Sequence, residues 1–170
     1  LNYRTLKSTE RLNSFRANYN MYIEFNKLSG RVQDNSINAN MHITTKKNNY
    51  FGIGLTAIPL ESCDYYEPRV DGRYVVVPRK IESWASVSTN YNNKFAIDLN
   101  PSISILDEPG RMSYGVDIGP RYRFNDKLLL TYTLSFFRRN NNKGFIDTVD
   151  NDDNISTPET IVFANRNVIT

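Results

Sequence analysis

Apolar and polar residues alternate with period two along most of the chain, which is the mark of β-strands with one greasy and one wet face. From Phe15 to Phe25 one parity reads Phe15, Ala17, Tyr19, Met21, Ile23, Phe25 and the other Arg16, Asn18, Asn20, Tyr22, Glu24. After a link from Asn26 to Asp34, Ile37, Ala39, Met41 and Ile43 oppose Ser36, Asn38, Asn40, His42 and Thr44. The third run sets Phe51, Ile53, Leu55 and Ala57 against Gly52, Gly54 and Thr56, and Pro59 ends it because proline cannot donate to a ladder. A long loop then reaches about Ile81. A fourth strand, Ser83 to Tyr91, leaves the face of Trp84 open. The fifth runs from Phe95 to Ile105, the sixth from Ser113 to Phe124 and the seventh from Leu128 to Phe136. A polar loop from Arg138 to about Pro158 precedes an eighth strand begun at Thr160. The pattern predicts an all-β, antiparallel up-and-down meander with seven to eight strands visible and no helix.

The links carry a second pattern. Those near Lys46, Asn92 and Asn125 read as short, while those at Asn26 to Asp34, Leu60 to Glu82, Asp107 to Met112 and Arg138 to Pro158 read as longer. In a meander, alternate links lie at opposite ends, so this alternation predicts tight turns at one end and larger loops at the other, as in a transmembrane β-barrel. Strands of about 9 to 11 residues fit the same template. Tyr50, Phe51, Tyr91, Phe95, Tyr122 and Phe124 gather beside the short turns, where an interfacial girdle would sit. The wet parity is rich in Asn, Ser, Thr and Gly, which suits a barrel interior better than the Lys- and Glu-rich outside of a soluble sandwich. The alternative is a soluble all-β carbohydrate- or ligand-binding module in which the apolar face is an internal core.

Composition narrows the classes further. The sequence is 39% hydrophobic and 23% charged, too apolar for a disordered chain. Its longest uncharged stretch, Asn48 to Leu60, is too short and too rich in Gly and Pro for a spanning helix. A mean hydropathy of −0.53 is compatible with a barrel, whose strands alternate. The net charge of +3 is scattered along the chain, which argues against nucleic acid. One cysteine, Cys63, and one histidine, His42, provide neither a disulfide scaffold nor a zinc site. The opening Leu1-Asn2-Tyr3-Arg4 shows no signal peptide, and the last residues lie inside a developing strand, so residues 1–170 read as a middle slice of one barrel domain.

Beyond the third strand stands Asp64-Tyr65-Tyr66-Glu67-Pro68-Arg69-Val70, followed by Gly72-Arg73-Tyr74 and Pro78. This hexapeptide from Asp64 to Arg69 resembles a motif of the Bacteroidetes family known as domain of unknown function 5916. Segments around Arg11 to Phe15, Phe124 to Leu128 and Ile161 to Val168 are similar to barrel segments of the same family. The resemblance implies a C-terminal outer-membrane β-barrel of a Gram-negative bacterium, in contact with outer-membrane lipid. It also implies an N-terminal domain, absent here, similar to carbohydrate-binding modules, through which a glycan ligand would be held. The role implied is a pore, scaffold or surface platform linked to glycan handling; the resemblance carries over no established reaction, and this portion is expected to be non-enzymatic and to need no cofactor.

The candidate chemistry falls into two groups. Asp64, Tyr65, Tyr66, Glu67, Arg69 and Arg73 combine aromatic faces, carboxylates and guanidinium groups, a set suited to sugar recognition. They equally suit a structural loop in which Glu67 pairs with Arg69 or Arg73 and Pro68 fixes the backbone. Asp98, Asp117, Arg121 and Arg123 fall on the wet parity and would face a barrel interior, either biasing it electrostatically or pairing across it. Catalysis through Glu67 and Asp64 is allowed by residue type alone. The acidic stretch with Asp147, Asp150, Asp152 and Asp153 lacks the glycine and terminal glutamate of a calcium-binding loop, so no metal site is expected.

Overall fold

A computed structural model describes residues 1–5, 7–149 and 160–170. Among the described residues twelve strands account for the regular structure: β1 (Asn2–Arg4), β2 (Leu12–Phe25), β3 (Val32–Thr45), β4 (Tyr50–Ile58), β5 (Ser62–Asp64), β6 (Val75–Val77), β7 (Lys80–Ser88), β8 (Phe95–Leu106), β9 (Met112–Asn125), β10 (Leu128–Thr131), β11 (Leu134–Val149) and β12 (Thr160–Ile169). All pairings are antiparallel, and the main sheet runs β1-β2-β3-β4-β7-β8-β9-β11-β12, with β10 on β9 just before β11. The fold is thus an all-β antiparallel meander, and β1 adds an edge strand that the alternation had left unread. Among the described residues the two outer strands, β1 and β12, do not pair with each other.

Register explains the faces. Met41 lies opposite Ala17 and Ile53, Ile53 opposite Ala85, and Leu99 opposite Val87 and Ile118. Partners in a ladder point to the same side, so the apolar parities of neighbouring strands merge into one continuous face. That face is the exposed one. Ile53, Leu55, Ile81, Ile103, Leu130 and Leu134 are each between 40% and 57% exposed. On β4 the alternation is clean: Phe51, Ile53 and Leu55 are exposed while Gly52 and Gly54 between them are buried. Among the described hydrophobic residues only Cys63 and Ala96 are buried, and Ala96 belongs to the polar parity. Soluble monomers rarely expose an apolar patch beyond a few hundred Å². Here nearly a whole sheet face is apolar and open, so the usual relation of hydropathy to burial is inverted.

The polar side is packed by large side chains lying on glycines. Trp84 faces this side, opposite Gly54, and its ring occupies the space above Gly54 and Gly52: a Cβ on Gly54 would stand 2.3 Å from the indole Nε1. Phe137 fills the equivalent space over Gly115. His42 lies 5.7 Å from Trp84 and stacks on Tyr50, whose hydroxyl meets Nδ1 at 2.6 Å, while Nε2 meets Asn40 at 3.1 Å.

Several expectations are corrected. The fourth strand is Lys80–Ser88, so Tyr91 belongs to the following turn. The stretch after Arg138 is strand as far as Val149; a bulge there leaves Asn140 and Asn141 facing Asn167, with Asn141 at φ 51° and its NH on the Asn167 side chain at 2.9 Å. The alternation of link lengths is not strict, because the link 89–94 has six residues and the link 107–111 five. Tyr50 leaves the expected girdle, since its ring turns to His42 on the polar side, and the Tyr91 ring turns to Arg121 and Asp98. Phe51, Phe95, Tyr122 and Phe124 keep the apolar parity and are exposed.

Because Trp84 is the sole tryptophan, its packing is directly readable. Gly54→Val should displace the indole, red-shift its emission and destabilise the fold by about 1–3 kcal/mol, the usual range for overpacking. Unchanged emission would show that the glycine does not seat the ring.

Candidate functional site

The link between β4 and β7 does more than connect them. Its ends form the hairpin β5–β6, with Cys63 opposite Val76, and β5 packs on β3. Asn35 of β3, 2% exposed, clamps the start of the link by donating to Leu60 O and accepting from Leu60 N, both at 3.0 Å. A buried amide with both ends satisfied contributes rather than costs.

Between the two short strands, the hexapeptide folds on itself. Asp64 Oδ1 accepts from the amides of Tyr66 at 2.8 Å and Glu67 at 3.1 Å, an Asx-type turn. Pro68 is fully buried, and Arg69 follows in the left-handed region at φ 57° with its NH donating to Tyr66 O. A non-glycine residue held there is uncommon and persists only when its surroundings fix it. The fixing contacts come from distant strands. Glu67 Oε1 accepts from Phe145 N of β11 at 3.0 Å, and the Arg69 guanidinium lies 4.7 Å above the Phe145 ring. On the other flank the Tyr65 hydroxyl meets Ser29 Oγ at 2.9 Å, and Arg31 lies 4.7 Å above Tyr74, which packs on Tyr65. The loop therefore spans from the β2–β3 turn to β11 and braces them across the polar side.

Of the residues singled out from the sequence, Asp64, Tyr65, Glu67 and Arg69 are thus brought together. Tyr66, 84% exposed, and Arg73, exposed with its NH on Val70 O, project outward. Glu67 takes the Phe145 amide rather than either expected arginine.

The wet-parity charges separate into two settings. Asp98 accepts from the Tyr91 hydroxyl at 2.6 and 2.8 Å, and Arg121 stacks 4.1 Å from the Tyr91 ring, so Tyr91 couples the two charges. The Asp98 hydrogen bond, aided by partial burial, raises the Tyr91 phenol above its ordinary value. Arg121 Nε is buried without a partner. Asp117 accepts from Ser135 Oγ at 2.5 Å, and Arg123 is exposed beside the same turn as Lys94, to whose carbonyl its NH donates at 2.8 Å.

Sequence reasoning missed Glu108. It joins Lys143 of β11 at 2.5 Å and Arg111 at 2.8 Å, tying the β8–β9 turn to β11. The only local sign was a carboxylate three residues before an arginine. Lys143 chiefly, and Arg111, hold this carboxyl below its ordinary value against the opposing effect of burial.

Among the described residues no three His, Cys, Asp or Glu side chains gather as metal ligands. Asp147 accepts from the Thr148 amide, while Asp150, Asp152 and Asp153 lie outside the described residues. His42 bonds Tyr50 and Asn40, not a serine or cysteine.

A family model described as Domain of unknown function (DUF5916) matches residues 1–170. The chain belongs to this family. No curated protein and no solved structure matches it. Nothing in this DUF5916 chain indicates an enzymatic activity, and the hexapeptide that carried the resemblance is the segment that braces β3 and β11.

Two outcomes follow. Glu67→Ala should leave the Phe145 amide without its acceptor, speeding hydrogen exchange along the loop and the end of β11 at a cost of about 1–3 kcal/mol, with Glu67→Gln intermediate. Exchange confined to the loop would contradict a brace. For Glu108 the folded value is depressed, so its contribution is complete above the unfolded carboxylate range and is lost as pH falls through the folded value. Denaturant midpoints followed from neutral to acid pH should fall less steeply in Glu108→Gln than in the parent.

Proposed function

We propose that this DUF5916 chain forms part of a transmembrane β-barrel in the outer membrane of a Gram-negative bacterium. In this portion it is non-enzymatic and serves as pore, scaffold or surface platform. The observation that carries the reading is the inverted polarity of the sheet: a continuous apolar face that is exposed, backed by a polar face packed with Asn, Ser and Gly. In water such a face would drive aggregation, whereas in a hydrocarbon core it is the stable outer wall. Long antiparallel strands support the same reading, since β2, β3 and β9 have 14 residues each and can cross the core at a tilt. Closure is required as well, because an unpaired strand edge in lipid leaves backbone groups unsatisfied at several kcal/mol each. Further strands, from the rest of a longer protein or from another chain, would join β1 and β12. The link to glycan handling rests on the accompanying carbohydrate-binding-like domain that the family resemblance implies.

The test combines fractionation with substitution. The native product should sediment with the outer membrane and migrate as a faster, heat-modifiable band. Ile53→Arg, in the middle of the apolar band, should cost about 2–4 kcal/mol, and Phe124→Arg beside a turn about 0–1 kcal/mol. A soluble product, indifferent to Ile53→Arg, would leave a water-soluble binding module in its place.

A further inference from the structure

On the polar side of the sheet lie two cavities of about 530 and 560 Å³, and Val77, Arg111 and Asn142 line both. They adjoin beside the β5–β6 hairpin as two parts of one chamber. Its walls carry five cationic side chains, Lys80, Arg111, Arg139, Lys143 and Arg166, against three carboxylates, Asp64, Glu67 and Glu82. The carboxylates are already engaged. Asp64 and Glu67 accept from backbone amides, and Glu82 holds Lys80 at 2.8 Å. Glu108 engages Arg111 and Lys143.

Two cations remain outside this pairing. Neither Arg139 nor Arg166 takes part in the four ion pairs among the described residues. Arg139 lies 5.0 Å above the Phe137 ring, a contact that leaves the edge of its guanidinium open. The Arg166 guanidinium and Glu67 Oε1 each come within 3.9 Å of the position of a Cβ on Gly144, yet Glu67 is turned to the Phe145 amide. Register places Arg139 opposite Val168, two residues along β12 from Arg166, so the two backbones stand roughly 8–10 Å apart. Between them lies Asn142, opposite Arg166, and Trp84 and Ser102 form the far wall.

Guanidinium forks recognise carboxylates bidentately, and two of them outside the ion pairs on the walls of one chamber suit the two ends of a dicarboxylate rather than a single monovalent ion. We propose that the chamber binds a small organic anion with two or more carboxylates, its charged ends on Arg139 and Arg166 and its polar body against Asn142 and Trp84. This goes beyond the membrane reading and does not rest on it, since the polar side of the sheet alone builds the chamber.

The experiment is titration calorimetry of citrate into the full-length protein in detergent at fixed ionic strength, with glycerol as the neutral control. Saturable binding is expected for citrate alone, weakened at least tenfold in Arg139→Gln/Arg166→Gln and unchanged in Lys94→Gln at the opposite end of the sheet. Retained heat-modifiable migration, or in a soluble product retained β-sheet circular dichroism, establishes that the double variant is folded. If it is not, the single variants Arg139→Gln and Arg166→Gln take its place, each expected to weaken binding several-fold. Absence of saturable citrate heat, or equal affinity in folded variants, would overturn the proposal. A soluble protein that still binds citrate would overturn the membrane reading and leave this site standing.

Discussion

Strand register is the constraint on which the rest depends. With a side-chain period of two, sliding β3 by one residue against β2 or β4 would send Met41 and Ile43 to the side of Gly52 and Gly54. It would also bring Asn40 and His42 onto the apolar face. The tight links hold the register. At Asn125 the side-chain oxygen accepts from the amides of Lys127 and Leu128, both at 2.9 Å, and at 45–49 the Thr45 NH donates to Asn49 O while Thr45 O accepts from the NH of Asn48, which stands at φ 58°. Packing on the polar side reinforces it, since Trp84 fits only where β4 presents glycine. Each device is local, yet together they sort the apolar parity of neighbouring strands to one side of a nine-strand path.

Such a sheet needs something to fix its curvature, because its apolar face has no second layer to pack against. The β4–β7 link does this from the polar side. Asn35 fixes its root, Tyr65 and Tyr74 join it to the β2–β3 turn, and Glu67 and Arg69 reach Phe145. Glu108 adds a second tie from β8–β9 to β11. These contacts cluster at one end, while the opposite end is joined by compact turns and the Tyr91–Asp98–Arg121 group. The same end that is braced holds the arginine-lined chamber, so stiffness and ligand chemistry share residues there.

Much of this was legible because alternation is a local signal: β2, β3, β4, β8 and β9 announce themselves in their own residues. Trp84 was ambiguous because an aromatic on the polar parity makes sense only beside Gly52 and Gly54, which belong to another strand. The β5–β6 hairpin was invisible because three-residue strands have no period to read, and the continuation of β11 was hidden by Asn140 to Lys143, polar on both parities. In the hexapeptide, residue types identified a special segment but not its partner. Nothing near Glu67 points to a backbone amide 78 residues away. Glu108 was missed for the same reason, its decisive neighbour being Lys143.

The central claim is that the exposed apolar face meets hydrocarbon while the polar face meets water. It is tested most directly by spin labels on single cysteines at each position from Leu99 to Ser104 of β8, with Cys63 replaced by serine. The readout is collision with oxygen against collision with a water-soluble nickel complex, in reconstituted bilayers. The account predicts a period of two, with oxygen favoured at Leu99, Pro101 and Ile103 and nickel at Asn100, Ser102 and Ser104. Equal nickel access at all six positions, or the opposite phase, would contradict it.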